Sequence, residues 1–68
     1  MNYSEIKLSG LQTEDQVNAL HHRLENMIGV SKVSVELDKQ LVTISYETPA
    51  NLNSIEKEIY DDGFKVLG

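Results

Sequence analysis

The spacing of apolar residues changes period along this chain, and the order of the changes leaves few folds open. Tyr3 to Leu8 alternates, with Ser4, Ile6 and Leu8 on one face and Tyr3, Glu5 and Lys7 on the other. That is the pattern of a half-buried strand. From Thr13 the period becomes helical: Val17, Leu20, Leu24, Met27 and Ile28 share a stripe, and Gly29 is the expected stop. Val30 to Leu37 alternates again, with Val33, Val35 and Leu37 inward and Lys32, Ser34 and Glu36 outward. Asp38-Lys39-Gln40 has hairpin length, and Leu41 to Tyr46 is a third strand with Val42, Ile44 and Tyr46 inward. Asn51 is the expected N-cap of a second helix marked by Leu52, Ile55 and Ile59. Gly63 ends that helix, and Phe64 to Leu67 is a last short strand.

The order β-α-β-β-α-β predicts an α+β chain, a ferredoxin-like sandwich. Both helices lie on one face of a four-stranded antiparallel sheet. Residues 1–68 are long enough for one domain and one modest core. With no cysteine there is neither disulfide nor thiolate ligand, so packing alone must hold the fold. No apolar run approaches the roughly 20 residues of a membrane span, and no secretory leader is evident. The expectation is a cytoplasmic protein that does not insert into membranes. A net charge of -5 disfavours nucleic acid, and the outward strand positions offer no aromatic platform for bases.

One turn concentrates the functional question. In Gly10-Leu11-Gln12-Thr13-Glu14-Asp15-Gln16-Val17, Thr13 and Gln16 have capping-box spacing. Glu14 and Asp15 place negative charge where the helix dipole favours it.

The run Ile6 to Val66 resembles the heavy-metal-associated domains of small copper chaperones and copper-pumping ATPases. The likeness rests on Gly10-Leu11, Val17, Ala19-Leu20, Gly29-Val30, the alternating Val33, Val35 and Leu37, then Val42, Ile44 and Tyr46. It ends on Ile59, Asp61, Gly63 and Phe64. In that family the loop reads Gly-Met-x-Cys-x-x-Cys, and two thiolates bind a soft ion such as Cu(I). The resemblance places Leu11 at the family's Met and Thr13 and Gln16 at its two cysteines. Both ligands are therefore missing, and hydroxyl and amide oxygens are poor donors to a soft ion.

The resemblance still implies a docking surface: Leu11, Gln12, Thr13, Glu14, Asp15 and Gln16, with Phe64 packed over Leu11. The partner it implies is a metal-transporting ATPase domain or a related heavy-metal-associated protein. The leading reading is thus a metal-independent interaction or regulatory module in metal homeostasis, without cofactor. The alternative is copper or zinc binding and transport through non-thiolate ligands or a site shared between chains.

For non-thiolate ligands the candidates are His22 and Glu25, with Asn18 on the same helix face. Adjacent His21 and His22 project about 100° apart on a regular helix, which opposes a shared ion. His21 is expected beside the core stripe and His22 in solvent. Nothing points to an enzyme: there is no cysteine nucleophile, no Gly-rich phosphate loop, and one arginine, Arg23, in mid-helix. The expected state is a monomer or weak dimer. An edge dimer through Val33–Leu37 is the open alternative, opposed by the charges of Lys32 and Glu36.

Overall fold

A computed structural model describes residues 1–67. The elements run β1 (Asn2–Ser9), α1 (Glu14–Glu25), β2 (Val30–Glu36), β3 (Leu41–Tyr46), α2 (Leu52–Asp61) and β4 (Lys65–Leu67). All strand pairs are antiparallel, in the order β2-β3-β1-β4. Helix α1 packs on β2 and against α2, and α2 packs beside β4. This is the ferredoxin-like sandwich that the alternating periods predict.

The core follows the two periods. Ile6 and Leu8 of β1 and Val42, Ile44 and Tyr46 of β3 meet Val17, Leu20 and Leu24 of α1 and Ile55 and Ile59 of α2. The inward residues of β2 are only half buried, because that strand lies at the sheet edge. Ser4 stays inward by bonding its hydroxyl to that of the buried Tyr46, at 3.0 Å.

Two stripe residues depart from the expected pattern. Helix α1 ends at Glu25, not just before Gly29. Asn26 caps it, its side-chain amide donating to the His22 carbonyl at 2.8 Å. The chain then closes a tight turn in which Val30 N–H donates to Met27 carbonyl. Met27 still reaches the core, whereas Ile28 sits at the turn tip and is 80% exposed. Leu52 opens α2 and is exposed; Ile55 and Ile59 carry that face.

The two helices are tied by Arg23. Its Nε donates to Glu58 Oε2 at 2.8 Å, and its guanidinium lies 3.6 Å from Asp62 Oδ1. The Glu58 hydrogen bond, partly opposed by desolvation and then aided by the charges of Glu58, Asp62 and Asp61, pushes the guanidinium further above its ordinary pKa. Arg23 thus answers the carboxylates at the C-terminal end of α2, where the helix dipole disfavours them. We expect Arg23→Gln to lower the melting temperature at low ionic strength, with the difference narrowing in 1 M NaCl. A salt-independent difference would mean that packing of the arginine stem, not charge, was lost.

Candidate functional site: the loop between β1 and α1

Gly10 turns the chain out of β1 with φ +109, a conformation suited to glycine. A Cβ there would lie 3.3 Å from the Phe64 ring, so the aromatic packs directly on the loop backbone. Leu11 and Phe64 are both buried in the core cluster, 5% and 7% exposed. They support the loop from beneath. Gln12, Thr13, Glu14 and Asp15 are exposed above them, and Gln16 is half buried.

The capping box forms. Thr13 Oγ1 accepts from Gln16 N–H at 3.2 Å, and Gln16 Oε1 accepts from the N–H groups of Thr13 at 3.1 Å and Gln12 at 2.6 Å. The oxygens at the two positions where the resemblance expects sulfur are therefore committed to the backbone. Neutral oxygen donors already accepting hydrogen bonds do not fit a soft monovalent cation.

One residue that fixes this loop escaped the sequence reading. Gln40, in the β2–β3 hairpin, has φ +51. Its side chain accepts from Leu11 N–H at 3.0 Å and donates to the Leu11 carbonyl at 2.9 Å and the Leu37 carbonyl at 2.7 Å. It satisfies both backbone groups of Leu11 across 29 residues of sequence. The only signal was an amide side chain at a hairpin end, which has many local uses. We expect Gln40→Ala to cost about 1–3 kcal/mol, because it leaves part-buried backbone groups unpaired. Hydrogen exchange at the Leu11 amide should accelerate more than at core amides of β3.

The histidine region is arranged differently. His21 Nε2 lies 3.1 Å from the Val33 carbonyl, so it is the donor and covers one acceptor on the open edge of β2. Its Nδ1 is 3.7 Å from Glu25 Oε2, and His22 Nδ1 is 3.6 Å from Glu25 Oε1. His22 is largely solvated. Among the described residues no group of three or more His, Asp or Glu is arranged to hold a metal ion. Among the same residues no helix is long and apolar enough to cross a membrane.

A "COP-associated protein" of Helicobacter felis (strain ATCC 49179 / CCUG 28539 / NCTC 12436 / CS1) is 31% identical over 62 residues, covering 91% of this chain and 94% of that protein. A solved structure described as "CsoZ metallochaperone" is 52% identical, with a TM-score of 0.97 over 98% of this chain and 97% of that one. A "copper binding domain from HMA7, a P-type ATPase" is 25% identical, with a TM-score of 0.93 over 98% and 92% of the two chains. Residues 6–65 match the family described as "Heavy-metal-associated domain", so this chain is a member of the heavy-metal-associated domain family.

Proposed function

We propose that this chain works in copper homeostasis as a protein-interaction module whose β1–α1 loop does not carry the ion. The setting is supported by the copper-related names of its relatives. The observation that carries the loss of loop binding is the closed capping box, in which Thr13 and Gln16 spend their oxygens on the backbone. Docking falls to the exposed Gln12, Thr13, Glu14 and Asp15, with Leu11 and Phe64 holding the loop in shape. Glu14 and Asp15 suit a basic patch on a heavy-metal-associated domain of a transporting ATPase or a related protein.

A second reading, carriage of an ion through other ligands, is favoured by the metallochaperone name of the 52% identical structure. Titration of Cu(I) against a chromogenic chelator separates the two. The first reading expects no competition by the protein; tight one-to-one binding overturns it. Docking on an isolated ATPase metal-binding domain should persist in excess chelator. Glu14→Lys with Asp15→Lys should weaken it by about tenfold, chiefly through slower association.

A further inference from the structure

The charge of this protein is not spread evenly. The register sets Lys32, Ser45 and Tyr3 in one row across the outer face of the sheet, and Ser34, Thr43 and Glu5 in the next. Glu36, Leu41, Lys7 and Leu67 form a third row, with Ser9 and Lys65 beyond it. Lys39 of the hairpin borders the same face, 3.4 Å from Glu36. Four of the six cations and only two of the eleven acids lie here. The face is two units positive, and the rest of the molecule seven negative, on a chain whose total is -5.

Screening makes this local sign the one a partner meets. The Debye length is about 8 Å at physiological ionic strength. The molecule is 19 Å across its thinnest axis. Acids on the far side are thus damped; of the others, Glu56 of α2 borders the face beside Lys7 and Leu67. Lys7, Lys32 and Lys65 enter no ion pair among the described residues. A shallow groove of about 530 Å³ runs over β1, β2 and β3, floored by Ser34, Thr43 and Ser45. Tyr3, 63% exposed, and Leu67, 47% exposed, add apolar surface.

We propose that this outer sheet face is a second docking surface, for an acidic polypeptide segment. Glu5 and Glu36 decide the class of partner. Glu5 stands in the row between those of Lys32 and Lys7, and Glu36 ends the edge strand β2 beside Lys39, so a uniform polyanion such as nucleic acid or an anionic membrane would meet like charge within the face. A peptide can place acids at the ends, over Lys32 and Lys7 or Lys65, and hydroxyl or apolar groups between them. The surface is independent of the β1–α1 loop, so it stands or falls separately from the reading above.

The test is an NMR titration of the full chain. The probe is a capped peptide with two glutamates at each end and Ser, Thr, Val and Leu between. Amide shifts are expected along Lys32–Ser34 and Thr43–Ser45, with the loop from Gly10 to Gln16 unmoved. Lys7→Glu with Lys32→Glu should weaken binding by about tenfold and leave the fold's spectrum intact. The same peptide with lysines for glutamates should not bind. Shifts confined to the helices or the loop would overturn the proposal. So would tighter binding of a thymidine decamer or of phosphatidylserine vesicles to this face. Self-association, seen by sedimentation as growth with protein concentration and lost in the double variant, would also overturn it by naming a second copy as the occupant.

Discussion

Gly29→Ala is expected to leave the chain without a cooperative unfolding transition at 25 °C. Gly29 has φ +97, where an L side chain is strained by about 1–2 kcal/mol. Sterics then add to strain. A Cβ at this position would collide with the Glu47 carbonyl oxygen and come within 2.9 Å of the Ala50 nitrogen. Those two atoms are hydrogen-bonded to each other at 2.9 Å, and Glu47 N–H also donates to the Gly29 carbonyl at 2.8 Å. The methyl group would therefore wedge into a backbone contact, not against a mobile side-chain tip. A combined loss of about 3–5 kcal/mol is expected. An unstapled domain of this length has only about 3–5 kcal/mol to lose. Gly63→Ala is the control. It shares the backbone angle, φ +99, but a Cβ there meets nothing within 4 Å. It should keep a cooperative urea transition, shifted by about 1–2 kcal/mol. Equal stabilities for the two variants would refute the steric argument.

Thr13→Cys with Gln16→Cys is expected to raise Cu(I) affinity by about three orders of magnitude or more, since thiolates replace neutral oxygens as donors to a soft ion. The first turn of α1 supplies the setting: its N-terminal dipole lowers the thiol pKa, and Gly10, Leu11 and Phe64 already hold the turn in place. The same change removes both side-chain arms of the capping box, so the apo variant should lose about 1–2 kcal/mol. Thr13→Ser with Gln16→Glu, which keeps a capping box, should bind Cu(I) no better than the parent. Chelator competition reads the affinity and urea denaturation reads the cap. If the cysteine variant bound no more tightly, the missing sulfur would not be what keeps this loop from taking Cu(I), and the loop geometry itself would be at fault.

Alternation in β1 and β3 and the helical spacing of Val17, Leu20, Leu24, Ile55 and Ile59 sufficed to name the fold, because burial of one face per element imposes those periods. The capping box was legible for the same local reason: both partners lie within one turn. Ile28 and Leu52 misled because a stripe gives the facing direction of a helix but not its last turn. Asn26 stopped α1 early, and Leu52, the first residue of α2, is left 38% exposed.

The sequence by itself determined the order of elements, most of the core and the absence of sulfur at the loop, since each depends on neighbours within a few residues or on composition alone. Only the tertiary structure decided that Gln40 holds Leu11, that Gly29 lies against Glu47 and Ala50, that His21 covers the edge of β2, and that four cations share one sheet face. Those pairings join distant segments, and their geometry is set by strand register and helix crossing. Neither leaves a periodic trace in a single chain.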